Sequence, residues 1–252
     1  MPRLNIKFTY PACIIACMQL GEEKAKQVRR MFSSIARRYD LANTLLSLRR
    51  DVGWRRFAAR IAELDKSGVA LDVATGTGEL AFELAKRVSE GGVVGVDFNA
   101  EMLSIAKQKA EQRGIKNVHF ILGDALQLCF RDESFDAVLV AFGLRNFAEI
   151  EKPLREFVRV AKRGGRVVVL EFTLPPNRFL RWLYSLYFFH VLPFLGGLIT
   201  GRREAYAYLP ASVAEFPSPE EICRLMEKAG LENVRYHLLT LGTVAVYVGR
   251  RR

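Results

Sequence analysis

The stretch Val69-Ala-Leu-Asp-Val-Ala-Thr-Gly-Thr-Gly-Glu-Leu-Ala81 carries the densest chemical signal in this chain. An apolar strand run ends in Asp72, a tight turn holds Gly76 and Gly78, and a helical run opens at Glu79. Glycines at such a turn let the backbone reverse sharply and let a ligand approach with no Cβ in the way. The turn therefore reads as a nucleotide-cofactor loop. Its spacing, Gly76-x-Gly78-x-x-Ala81, fits a dinucleotide fingerprint, and Asp97 lies about 20 residues on, where a ribose-binding acid belongs. An NAD(P) enzyme and an S-adenosylmethionine (SAM) methyltransferase both satisfy this pattern. Asp72 tilts it towards SAM, because an acid ending the first strand faces the loop that holds the methionine end. A glycine-rich turn without a ligand is the bland alternative.

Further acids extend the same crevice. Asp97 closes Val93-Val-Gly-Val-Asp-Phe98, and a carboxylate there can accept both ribose hydroxyls. Asp124, in Leu122-Gly-Asp-Ala-Leu126, can bond the adenine amino group while Ala125 offers its backbone N–H to the ring. Ala74 and Phe98 fall on the same loops. Three acids, each at the carboxyl end of a successive strand, define one cleft of an open α/β sheet.

The elements that must position them alternate. Residues 69–73, 93–96, 118–122, 137–141 and 166–172 read as strands; 79–88, 100–112 and 150–161 read as helices. That order predicts an α/β, doubly wound, Rossmann-like sheet with right-handed crossovers. Ser218-Pro219-Glu220-Glu221 caps a late helix that stops at Gly230. Residues 233–240 and 243–250 close the chain as a hairpin around Leu241-Gly242. A mostly parallel sheet with an antiparallel last strand belongs to SAM methyltransferases, whereas NAD-binding domains end in a parallel strand.

Upstream, Val28, Met31, Phe32, Ile35 and Tyr39 recur at helical spacing, Asp40 and Asn43 punctuate, and a second helix gathers around Trp54, Phe57, Ala58 and Ile61. Residues 1–25 are expected to be an N-terminal extension, 26–64 a helical cap, and 65–252 the cofactor-binding domain with an apolar helical insertion at about 175–212. Arg3, Lys7 and the apolar stretch Cys13 to Cys17 superficially suggest an export signal. Its shortness favours a dispensable extension, with Met18 as an alternative start.

Within the insertion, residues 179–200 are aromatic and almost uniformly apolar. Arg181, His190, Pro193 and Gly196-Gly197 argue against a membrane span and for helices that line an apolar pocket and touch a bilayer interface. The net charge of +11 is scattered in basic pairs such as Arg29-Arg30, Arg55-Arg56 and Arg202-Arg203. Solvated helix faces or an anionic membrane surface explain this better than nucleic acid does. Four cysteines without paired spacing read as free thiols of a reducing, cytoplasmic compartment. Half the residues are apolar, which excludes global disorder. No metal cluster is evident.

Beyond the fourth strand comes Phe142-Gly-Leu-Arg-Asn-Phe147. The Asn/Asp-Pro-Pro-Tyr box of amino-group methylation and the Pro-Cys nucleophile of cytosine methylation are both missing. Together with Arg29-Arg-Met-Phe-Ser-Ser-Ile-Ala-Arg-Arg-Tyr-Asp-Leu-Ala-Asn43, Leu71-Asp-Val-Ala-Thr-Gly-Thr-Gly-Glu-Leu80, Arg159-Val-Ala-Lys-Arg-Gly-Gly-Arg-Val-Val-Val-Leu-Glu-Phe172 and Phe189-His-Val-Leu-Pro193, this loop resembles the ubiquinone/menaquinone biosynthesis C-methyltransferase family (UbiE/MenG) from about residue 26 to the end. The resemblance implies C-methylation of a prenylated quinol with SAM as cofactor. It places cofactor contacts on Thr77, Asp97, Asp124 and Ala125. It adds Ala141, where the family usually has a serine. Met and His usually stand where this chain has Ala42 and Asp51.

Methyl transfer to an aromatic carbon needs an electron-rich ring, so a ring hydroxyl must lose its proton. Arg145 can stabilise the phenolate or orient a water acting as base; Asn146 and Tyr39 can fix the ring oxygens; His190 is a second base candidate. Expected partners are the prenylated demethylquinol and a membrane surface, with no nucleic acid; a homo-oligomer stays open. The competing functions are a methyltransferase of another lipophilic acceptor such as a phospholipid amine, an NAD(P) oxidoreductase, and a non-catalytic lipid or quinone binder.

Overall fold

The computed structural model describes residues 23–147 and 149–252. The apolar stretch that suggested export, with Cys13 and Cys17, lies outside the described residues. Seven strands form one sheet in the order β3-β2-β1-β4-β5-β7-β6. They are β1 (Val69–Val73), β2 (Gly92–Asp97), β3 (Val118–Leu122), β4 (Phe135–Ala141), β5 (Ala161–Phe172), β6 (Leu231–Leu239) and β7 (Val244–Arg251). β1 to β5 pair in parallel, and β7 runs antiparallel between β5 and β6. The inserted antiparallel strand that argued for a SAM-type sheet is present.

Helices cover both faces, which is why β2 is buried along its whole length and reads as an apolar run up to Asp97. On one side α2 (Arg50–Ile61), α3 (Glu79–Ala85) and α4 (Ala100–Gln112) pack Trp54, Phe82 and Ala110 against Ala70, Val93 and Leu139. On the other, α5 (Glu151–Val160) and α9 (Pro219–Lys228) pack Phe157, Ile222 and Met226 against Leu71, Val94 and Tyr247. Each fully buried Leu or Phe contributes about 2–3 kcal/mol of burial. Two of the helix starts follow from their caps. Asn99 accepts from the N–H groups of Glu101 and Met102, and Ser218 accepts from Glu221 with Pro219 in the first turn.

A third core lies off the sheet. α1 (Glu23–Leu46), a π-helical turn (Tyr187–Val191), α7 (Leu192–Thr200) and α8 (Arg203–Ala214) bury Ile35, Ala42, Phe188, Leu192, Tyr206 and Val213 together. α6 (Arg178–Leu186) leads into the π turn and buries none of its residues.

Several boundaries differ from the sequence pattern for physical reasons. Asp40 and Asn43 do not end a helix; α1 runs straight through them, because Asp40 spends its carboxylate on Thr77 and Lys109 instead of on a cap. The helix opening at Glu79 stops at Ala85, short of 88. β5 starts at Ala161, before the expected 166, because Ala161 pairs with Phe135 and the ladder resumes at Arg166 opposite Ala137. Gly164, at φ +73°, makes that excursion possible.

Candidate active site

The crevice at the carboxyl ends of β1, β2 and β3 is built from loops in left-handed backbone. Ala74, Gly76 and Gly78 have φ of +53°, +55° and +85°. A Cβ on Gly78 would lie 2.9 Å from Phe120, so this glycine allows the helix to pack on the sheet. A Cβ on Gly76 would meet nothing within 4 Å among the described residues. Gly76 thus presents bare backbone to open space, as a bound nucleotide cofactor requires.

Two acids brace this loop. Asp72, 1% exposed, accepts from the Thr75 hydroxyl at 2.6 Å. Burial pushes its pKa up to about 7, against the pull of the Thr75 hydrogen bond. Asp97 accepts from the N–H of Gly76 at 2.8 Å and from that of Asn99 at 2.9 Å, tying β2 to the glycine turn. Burial lifts its carboxyl to about 6 while the N–H groups of Asn99, Gly76 and Phe98 oppose the rise. Asp124 is half-buried, accepts from Leu126 at 2.9 Å, and sits beside buried Ala125. Carboxylates at three successive strand ends around a bare glycine fit an adenosyl group with its ribose, and Ala141 ends the fourth strand beside them.

Thr77 is placed differently. Its hydroxyl donates to Asp40 of α1 at 2.5 Å, and Lys109 donates to Asp40 at 2.8 Å and to the Thr77 carbonyl at 3.0 Å. Asn99 reaches Ser33 of α1 at 3.0 Å. The N-terminal helix is therefore strapped across the cofactor loop, a connection no local motif announced.

Behind the loop that follows β4 lies a cavity of about 590 Å³ between α1, α2, the π turn, α7 and α8. Its walls are mainly apolar, with Met31, Phe32, Ile35, Leu192 and Leu195 among them. Its polar lining includes Tyr39, Asn43, Arg55, Arg145 and Tyr208. Phe142, at φ +58°, bends the chain so that Arg145 enters the wall. The Arg145 side chain is 6% exposed and donates from Nη1 to Glu171 at 2.8 Å and to the Phe142 carbonyl at 2.5 Å. Its Nε is buried with no hydrogen-bond partner among the described residues. Glu171 is fully buried; burial raises its pKa and Arg145 opposes the rise. The Tyr39 phenol is likewise held above its ordinary range by burial, against the nearby charges of Arg145 and Arg55.

Two of the four proposed chemical residues, Arg145 and Tyr39, thus share the cavity wall. Asn146 stands behind it, accepting from Tyr208 at 3.2 Å. His190 is not brought there: helical phase turns Phe188 inward and leaves His190 exposed on the outer side of the π turn. Sequence reasoning missed Glu171, whose signal was an acid inside the apolar strand run Val167-Val-Val-Leu-Glu-Phe172. It also missed Arg55, which it read only as half of a basic pair.

Comparison with known proteins fits this geometry. The model of the ubiE/COQ5 methyltransferase family matches residues 18–251. A demethylmenaquinone methyltransferase of Thermus thermophilus is 53% identical over 88% of this chain and 100% of its own. A ubiquinone/menaquinone biosynthesis C-methyltransferase UbiE of Geotalea daltonii is 42% identical over 91% of this chain and 98% of its own. In fold, a SAM-dependent methyltransferase from Aquifex aeolicus superposes with a TM-score of 0.55 at 19% identity, covering 79% of this chain and 89% of that one. SAM is accordingly the cofactor of this methyltransferase. The chain belongs to the ubiE/COQ5 methyltransferase family.

Proposed function

We propose that this protein methylates a ring carbon of a prenylated quinol, demethylmenaquinol to menaquinol or its ubiquinone-pathway counterpart. The observation that carries the reading is the cavity: about 590 Å³, mainly apolar along its walls, with Tyr39, Asn43 and Arg145 among its few polar lining groups. Its size suits a small lipophilic molecule, and such pockets use a few polar groups to orient what they hold. Relatives named for demethylmenaquinone and ubiquinone/menaquinone methylation support the same substrate class.

SAM supplies an electrophilic methyl group, and Asp72, Ala74, Gly76, Thr77, Gly78, Asp97, Phe98, Asp124, Ala125 and Ala141 are the residues that would hold it. The remaining work falls to the cavity. A ring hydroxyl gives up its proton to a water oriented by Arg145, and the guanidinium stabilises the phenolate that results. Charge then reaches the carbon next to that oxygen, which would take the methyl group as its bond to sulfur breaks and the electron pair stays on sulfur, and the ring hydrogen leaves as a proton. Tyr39, with Asn146 acting through Tyr208, fixes the ring while apolar walls exclude bulk water. Alignment of the two reacting atoms is the largest contribution.

The prenyl tail gives the rest of the cap a purpose. The caps ascribed to 26–64 and to about 175–212 close over it and face a bilayer interface. Phe179, Trp182 and Leu198 are 67%, 59% and 67% exposed on α6 and α7, and Leu48, at the cavity rim, is 83% exposed. Arg178, Arg202, Arg49 and Arg50 are exposed and stand within a few residues of them in the chain, a pattern suited to anionic headgroups. Among the described residues no helix is long and apolar enough to cross a membrane.

The test is an anaerobic assay with dithionite-reduced demethylmenaquinol in anionic vesicles and methyl-labelled SAM. Label is expected on a ring carbon by mass spectrometry, with turnover lost in Arg145→Gln. Label appearing on oxygen or nitrogen, or full turnover by Arg145→Gln, would overturn the reading.

A further inference from the structure

The same cavity wall contains a second buried ion pair that the reaction above does not use. Arg55 of α2 donates from Nη1 to Asp51 at 2.5 Å; the two side chains are 10% and 8% exposed. Asp51 is itself held by the Ser47 hydroxyl at 2.9 Å. Both Arg55 and Asp51 line the cavity, and so does Arg145.

The two arginines are arranged about one aromatic platform. Phe142 and Phe172 lie with ring centroids 4.6 Å apart, tilted by 33°. The Arg55 guanidinium carbon is 5.6 Å from the centre of the Phe142 ring, and that of Arg145 is 5.5 Å from the centre of Phe172. The phenol of Tyr39 feels the charge of both. Each arginine has its own carboxylate, Asp51 or Glu171. Burying one ion pair in an otherwise apolar wall is costly, and two apolar residues of similar volume would serve stability as well or better. A pair retained at that cost, facing the same space as a second such pair, points to a polar ligand group. A phenolate needs one cation; a ring with two para oxygens offers an acceptor to each. A guanidinium has five N–H donors, of which Asp51 takes one from Arg55.

We propose that Arg55, oriented by Asp51, is a second oxygen-binding subsite: Arg145 takes the ring oxygen beside the carbon that is methylated, and Arg55 takes the oxygen para to it. Held at both oxygens, the ring cannot turn in its own plane, so the acceptor carbon stays aimed at the cofactor crevice. The subsite selects 1,4-dihydroxy rings over simple phenols. This rests on the quinol reading above.

The experiment crosses two acceptors with three proteins. One acceptor is the prenylated 1,4-naphthalenediol; the other is the 3-prenyl-1-naphthol that retains the activating hydroxyl and lacks its para partner. Wild type is expected to prefer the diol. Arg55→Gln should lose about 10- to 100-fold in kcat/KM on the diol, chiefly through KM, and little on the naphthol, as expected for one charge-assisted hydrogen bond. Arg55→Lys should recover part of the preference. SAM affinity, measured by calorimetry, should stay unchanged and report an intact fold. An equal loss on both acceptors, or no loss on either, overturns the subsite. If Arg55→Gln does not fold, Asp51→Asn replaces it in the same ratio. A wild type that uses both acceptors equally well overturns the subsite with no variant at all. A wild type that methylates neither acceptor while binding SAM instead overturns the quinol reading.

Discussion

The cofactor crevice and the acceptor cavity are made in opposite ways. The crevice is a product of the sheet. Its acids end consecutive parallel strands, and its backbone turns are local, so Asp72, Asp97 and Asp124 come together once β1, β2 and β3 pair. The cavity is a product of long-range packing. Tyr39, Arg55, Arg145 and Tyr208 come from four elements spread along the chain and meet because α1, α2 and α8 dock on the loop after β4. A fold that hosts many reactions keeps the first region constant in kind and varies the second. Charge follows the same division: the crevice acids rest on backbone N–H groups and a hydroxyl, while the cavity carboxylates each rest on an arginine.

The sharpest way to break this contrast is to remove one partner of the Arg145–Glu171 pair. Glu171→Leu leaves a buried guanidinium without its counter-ion and should cost about 3–5 kcal/mol in urea unfolding. The double variant Arg145→Met with Glu171→Leu should recover most of that stability yet transfer no methyl groups. A single variant that loses less than about 1 kcal/mol would show the pair to be solvated, and the cavity end to be less dry than its exposure indicates.

That pair also marks where sequence reading stops. The glycine loop and its acids were legible because motif, strand end and turn coincide within a few residues. Phe142-Gly-Leu-Arg-Asn was legible as a motif, but nothing local joins Arg145 to Glu171, which lies a whole helix and most of a strand away. Arg55-Arg56 looked like a solvated pair. Adjacent helical residues point about 100° apart, so Arg56 is 64% exposed at its side chain while Arg55 turns into the wall. His190 erred for the same reason: the run of aromatics around it has no polar face from which to read phase.

On the crevice side the expected effect is smaller and depends on pH. Asp72 titrates near 3.9 in an unfolded chain and is raised to about 7 here by burial. The folded state therefore binds more protons than the unfolded state between these values. The contribution of Asp72 is complete below about pH 4 and is lost as pH rises through 7. Asp97, raised to about 6, acts in the same direction over a narrower window. Asp72→Asn keeps an acceptor for Thr75 and removes the titration. Its unfolding free energy from urea titration should fall less than that of wild type between about pH 5 and about pH 8, a difference of about 1–3 kcal/mol. Parallel pH profiles for the two proteins would show that the carboxyl is not sealed under the loop.

The smallest effect is expected where the two regions are joined. Asp40 takes the Thr77 hydroxyl on one oxygen and Lys109 on the other, so one side chain of the cap holds the cofactor loop. Its side chain is 36% exposed, which limits the ion pair to about 0.5–1 kcal/mol. Asp40→Asn retains the bond from Thr77 and removes the charge. Amide exchange should quicken along α1 while β1, β2 and β4 keep their protection, and raised salt should reproduce the change in wild type. If exchange quickens equally in the sheet, α1 is part of the cofactor domain's own core and the division between crevice and cap is misplaced. If it quickens in α1 alone, the cap is a separately opening unit, and admission of a long lipophilic acceptor does not require the cofactor loop to move.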